Sequence, residues 1–179
     1  MKRTQLGFLL AGLVLIGAGC GSNSSPVANQ KTPEERVQDI KNQIETDPVL
    51  KAREDAALKM RIAIKQGQIL KVGDVQDRVT YAQGSVRLVK VGTKISLALS
   101  DDFSVTTQDP ITVKLSRYSN PRNSAEVEAR GSLGLGTLTY NSGGQLIDLP
   151  AGTDVSVFRS VVFYSPTAKV IYALATFQT

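Results

Sequence analysis

The stretch LPAGTDVSVFRSVVFYSPTAKVIYALATF, Leu149 to Phe177, decides the fold. It reads as three short strands punctuated by turns. Pro150-Ala151-Gly152 and Ser165-Pro166 break the backbone, because Pro fixes φ and Gly permits positive φ. Val161, Val162, Phe163 and Tyr164 make a β-branched and aromatic run too short for a free helix. Val170, Tyr172 and Leu174 alternate with Ile171, Ala173 and Ala175, so both faces of that strand are largely apolar. A strand with two apolar faces sits between packed layers. The chain therefore needs material on both sides of its last third.

Upstream, the pattern supplies it. From about Arg78 apolar residues recur with period two. Val86, Leu88 and Lys90 alternate with Arg87, Val89 and Val91; Gly92-Thr93 turns the chain; Ile95, Leu97 and Leu99 alternate with Ser96, Ala98 and Ser100. Ile111, Val113 and Leu115 alternate with Thr112, Lys114 and Ser116. These are half-buried antiparallel strands. Arg117 to Ser124 reads as a polar loop, Glu126–Arg130 and Gly136–Tyr140 as further strands, and Asn141-Ser142-Gly143-Gly144 as a turn. Seven or eight strands in roughly 100 residues is the density of a β-sandwich.

Before this domain the period is helical. Thr32-Pro33-Glu34-Glu35 carries an N-cap, a Pro at the first helical position and a Glu three residues after the cap. Val37, Ile40 and Ile44 follow as a narrow apolar stripe. Thr46-Asp47-Pro48 interrupts this helix and caps a second, with Leu50, Ala57, Met60 and Ile64 roughly on one side and Gly67 as its stop. The segment reads as a spacer or a lid on the β domain, with a partner-binding hairpin as the functional alternative.

The first 20 residues, MKRTQLGFLLAGLVLIGAGC, have a basic start, an apolar run from Phe8 to Ile16, and small residues before Cys20. That run is shorter than the about 20 apolar residues a bilayer span needs, and it has the form of a signal peptide. Gly17-Ala18-Gly19-Cys20 resembles the bacterial lipobox, whose Cys carries lipid in the mature protein; Gly17 stands where Leu is usual. Acyl chains on Cys20 would hold the protein at a membrane, as each buried CH₂ contributes about 0.8 kcal/mol. Gly21 to Gln30 is small and polar and reads as a tether.

Composition narrows the chemistry. There is no His, which removes the commonest metal ligand and the usual neutral-pH general base. A single Cys forbids an intrachain disulfide. The formal charge is +5, of which Lys2 and Arg3 contribute two, leaving +3 without the leader. This is too small to argue for nucleic acid. GSLGLG, with Gly131, Gly134 and Gly136, lacks the Lys-Ser/Thr of a phosphate loop and reads as turn or bulge glycines. Asp101, Asp102 and Asp109, or Asp148 with Asp154, offer hard oxygen ligands, but their spacing matches no Ca²⁺ loop. Ser165 has neither His nor a Ser-x-x-Lys motif to activate it. Tyr164 and Tyr172 fall near one another if Ser165-Pro166 turns a hairpin, and read as core residues with hydroxyls at the sheet edge.

Ser100 to Ser116 (SDDFSVTTQDPITVKLS), then Leu135 to Leu138 (LGTL), Gly144 to Pro150 (GQLIDLP) and Val157 to Phe177 resemble, in order and spacing, the electron-transfer DM-thirteen domain. The resemblance spans about residues 83 to 177 and implies a β-sandwich related to DOMON domains, some of which bind haem or sugar. The family's redox role is attached to a Cys in a Trp-Cys dipeptide. Tyr164-Ser165 stands at that place here, Asp109 stands at the turn Gly, and Ile147 at a Tyr.

The reading is thus a mainly β protein. A signal peptide (1–19), a tether (20–31) and a helical segment (32–67) precede an antiparallel β-sandwich (78–179). The expected role is a non-enzymatic binding or structural module at the cell envelope, without cofactor or metal. It would be held outside the cytoplasm, at the cell surface or in the periplasm, through Cys20. An envelope protein or small ligand, not nucleic acid, would be its partner. A redox accessory domain is the alternative that the resemblance implies.

Overall fold

The computed structural model describes residues 31–178, so the leader, Cys20 and the tether as far as Gln30 lie outside the described residues. The two terminal strands are β9 (Ser160–Ser165) and β10 (Val170–Thr176), an antiparallel hairpin in which Ser165 pairs with Val170 and Ser160 with Thr176. Both faces are covered, as their apolar pattern requires. Val161, Phe163, Ala173 and Ala175 enter the main core, while Val162, Tyr164, Ile171 and Leu174 form a second cluster on the opposite face with Val127. The third strand expected in this stretch is instead a 3₁₀ turn, Val155–Val157, because the Asp154 side chain accepts from Ser156 N at 2.9 Å and caps it.

The remaining elements are α1 (Pro33–Thr46), α2 (Pro48–Gln66), β1 (Gln68–Asp77), β2 (Ala82–Gln83), β3 (Ser85–Val91), β4 (Lys94–Leu99), β5 (Ser104–Val105), β6 (Thr112–Ser116), α3 (Ser124–Glu128), β7 (Leu133–Thr137) and β8 (Gln145–Asp148). Eight strands join in the order β7-β6-β9-β10-β1-β3-β4-β8, every pairing antiparallel, and β2 and β5 form a small separate pair. The fold is mainly β, as expected, with the sheet folded over one interior core that includes Val86, Leu88, Leu97, Leu99, Val113 and Leu115. Removing each such side chain from water contributes about 1.5–3 kcal/mol. Phe103 and Phe163 meet there at a ring separation of 5.0 Å.

The sheet starts at Gln68, not at residue 78. β1 is the strand that makes one structure of two layers. Its residues Gln68 to Asp74 pair with β3, and its residues Val75 to Asp77 pair with β10. A bulge between Ile69 and Lys71 interrupts the ladder with β3, and the change of partner comes later, between Asp74 and Val75. Gly73 lies where β1 passes from one partner to the other, and a Cβ there would stand 2.6 Å from the Thr176 carbonyl oxygen.

Two further expectations give way. Glu126–Arg130 is not a strand: Asn123 accepts from Glu126 N at 3.0 Å, Glu126 accepts from Arg122 N at 2.7 Å, and the short helix α3 that follows buries Val127 against the outer face of β9–β10. Asn141–Gly144 does not close a hairpin either. It carries the chain from β7, paired with β6, to β8, paired with β4. The glycines of GSLGLG do flank a bulge, since Val113 pairs with Gly136 and Lys114 with Gly134.

Candidate functional site

Ser165, the residue that the sequence resemblance singled out, is part of a turn. Ser165 is buried at the end of β9, and its Oγ accepts from Ala168 N at 3.2 Å, inside the loop that reaches Lys169 at φ 56°. The neighbouring Tyr164 faces away from the main core, and its hydroxyl donates to Glu128 Oε1 at 3.0 Å. Burial, aided by Glu128, pushes that phenol above its ordinary pKa. Tyr172 does not join it. A bulge between Ile171 and Ala173 leaves Tyr172 as the extra residue of β10, on the main-core side, where its hydroxyl donates to Asp109 Oδ2. The hydrogen bond to Asp109 raises the Tyr172 pKa as well. The hairpin forms as expected, but the two tyrosines serve opposite faces.

The aspartates considered as cation ligands are dispersed. Asp101 Oδ2 accepts from Arg61 Nε at 2.9 Å, Asp109 accepts from Tyr172, Asp148 accepts from Ser96 Oγ at 2.8 Å and pairs with Lys94 at 2.7 Å, and Asp154 caps the 3₁₀ turn. Among the described residues no three His, Cys, Asp or Glu side chains gather as metal ligands.

The surface that is not spoken for is helical. Thr32 and Glu35 form the expected capping box, with Glu35 N donating to Thr32 Oγ1 at 3.2 Å and Thr32 N to Glu35 Oε2 at 2.8 Å. Asp47 caps α2 by accepting from Val49 N at 2.8 Å. α2 is seated on the sheet: Met60 packs with Val89 and Ala98, and Ala57 and Ala63 are buried. Arg61 bridges Glu54 and Asp101, whose hydrogen bonds raise the guanidinium pKa further. Arg53 lies 4.9 Å over the Tyr140 ring. Gly144 makes the close approach to α2, since a Cβ there would meet Met60 Cε at 2.5 Å and Asp101 Oδ1 at 2.6 Å. A cleft of about 480 Å³ remains where Ala52 and Ala56 cross above residues of β7 and β8, the two edges of the sheet.

By contrast, α1 buries no residue. Val37 and Ile40 on α1, and Val49, Leu50, Leu58 and Ile62 on α2, are exposed, with Ile40 at 55% and Leu58 at 50%. These six are more than half of the large hydrophobic side chains exposed among the described residues, on two helices that make up under a quarter of them. Sequence spacing showed the α1 stripe but placed α2's apolar residues on a single side. The exposed pair Leu58 and Ile62, four residues apart, was missed, although that spacing alone signals it.

No family model matches the chain, and no curated protein or solved structure matches it either. The DM-thirteen resemblance therefore rests on the residues quoted for it. No helix among the described residues is long and apolar enough to cross a membrane.

Proposed function

We propose that this chain is an exported, lipid-anchored protein of the cell envelope that acts as a binding or structural module. In this reading the sandwich is a rigid platform and the helix pair α1–α2 is its binding face. The observation that carries it is the exposed apolar stripe of α1, a helix of 14 residues with no buried side chain. Helices of that length are marginal in water unless a face is covered. The sandwich core, in contrast, leaves no buried side-chain polar atom without a partner among the described residues. Cys20 supplies the anchor and Gly21–Gln30 the reach. A redox role finds no thiol at Ser165, and the hydroxyl there is committed to its turn.

Two measurements test this. Cys20→Ser should release the protein from the membrane fraction or leave an unprocessed precursor; unchanged fractionation and processing would remove the lipoprotein reading. A photo-crosslinking residue at Ile40 should give adducts in intact cells, while the same probe at exposed Lys169 should not. Equal labelling, or none, would remove the binding face.

A further inference from the structure

We infer that the α1–α2 face is a self-association surface: α1 of one copy packs on the Leu58–Ile62 face of α2 of a second copy, and reciprocally. The inference rests on the binding-face reading above and specifies its occupant. Three observations lead to a second copy.

The first is apolar fit. Val37, Ile40 and Ile44 recur on α1 at spacings of three and four, and Leu58 and Ile62 on α2 at four. Such stripes pack helix against helix. Only Ile44, near the Asp47 junction, is half covered within the chain, alongside Leu50 and Arg53. The rest of the α1 stripe, Val37 and Ile40, is exposed.

The second is charge. α1 carries four acids (Glu34, Glu35, Asp39, Glu45) against two bases (Arg36, Lys41), a net of −2. α2 carries five bases (Lys51, Arg53, Lys59, Arg61, Lys65) against Glu54 and Asp55, a net of +3. None of Glu34, Glu45, Lys51, Lys59 and Lys65 takes part in an ion pair found among the described residues. Glu34 and Glu45 bracket the α1 stripe, and Lys51 and Lys65 bracket Leu58 and Ile62. At a rise of about 1.5 Å per residue the acids lie roughly 16 Å apart along their helix and the lysines roughly 21 Å. Long side chains span that difference.

The third is reciprocity. Each copy holds both an acidic apolar helix and a basic one, joined by the single residue Asp47. One two-fold axis therefore satisfies both faces at once, which is the isologous geometry of closed dimers. An anionic bilayer fits less well, because α1 would bring its net negative charge to a negative surface.

The test uses the full chain, extracted in mild detergent. Two differently tagged populations, one carrying Ile40→Cys and one Ile62→Cys, are co-expressed; the chain's own Cys is at position 20, far from both in sequence. Oxidation should give a mixed cross-linked dimer, and light scattering should give twice the chain mass. Glu34→Lys with Glu45→Lys should weaken association roughly three- to tenfold at low salt, and Lys51→Glu with Lys65→Glu in the same chain should restore it. All these positions are exposed, and circular dichroism of each variant is the check that it folds. A monomer at about 100 μM together with absence of the mixed species overturns the inference. So does binding of the full chain to vesicles of one-quarter phosphatidylserine through Ile40 and Ile62 in place of dimerisation. Adducts from Ile40 to a different protein would overturn self-association and leave the binding face standing; no adducts at all would remove both.

Discussion

Gly73→Ala probes the point where β1 leaves β3 for β10. The added Cβ would lie 2.6 Å from the Thr176 carbonyl oxygen, 3.1 Å from its carbon and 3.5 Å from the Ala175 carbon. All three are backbone atoms of β10, so no side chain can swing aside; β1 and β10 must separate. Comparable overpacking costs about 1–3 kcal/mol, and for a domain of this size each kcal/mol lowers Tm by about 4 °C. The expected loss is therefore roughly 4–12 °C. Gly134→Ala is the control. Nothing lies within 4 Å of its Cβ position and its backbone is outside the left-handed region, so it should change stability by less than about 0.5 kcal/mol. Thermal unfolding followed by circular dichroism reads both. Equal midpoints for the two variants would refute the close approach of β1 to β10.

Two further outcomes follow from the geometry. Leu174→Ala and Phe163→Ala lie on opposite faces of the terminal hairpin and are both fully buried, so each should cost about 2–5 kcal/mol in chemical denaturation; a loss below about 1 kcal/mol for Leu174→Ala would mean its face is open to water. The hydrogen bond from Lys94, helped by Ser96, holds the half-exposed Asp148 carboxyl below the usual range. Its folded pKa is depressed, so its contribution is present above the ordinary carboxylate pKa and is lost as pH falls through the folded value. The effect is at most about 1 kcal/mol at this exposure, and Lys94→Met should flatten that part of the acid limb of a stability–pH curve; an identical limb would refute the assignment.

The terminal hairpin was legible because two apolar faces in one short run admit few placements. The β3–β4 hairpin was equally plain: Gly92 takes φ 60° at its turn and the alternation on either side is unbroken. The capping box at Thr32 and Glu35 forms as written. β1 was not legible, and for a physical reason. Its bulge near Leu70 disrupts the period, Gly73 removes a side chain, and Lys71 enters a half-buried site, where its ammonium donates to the Ser156 and Phe158 carbonyls at 3.1 and 2.6 Å. Burial there, then the nearby Arg159 charge, lowers the Lys71 pKa. A strand that serves two ladders shows the signature of neither. The same holds for the site. Arg61 and Asp101 stand 40 residues apart, and no local pattern joins them. The α1 stripe was visible in the sequence, but that it stays uncovered could be seen only once α2 had taken the available face of the sheet.

β1 is the strand that joins two layers into one core, and backbone hydrogen exchange of the full chain measures this directly. Amides of β1 between Val72 and Asp77 should exchange as slowly as those of β9 and β10, because these strands open only with the whole domain. Exchange of that segment at the rate of the Arg117–Asn123 loop, with β9 and β10 still protected, would contradict it.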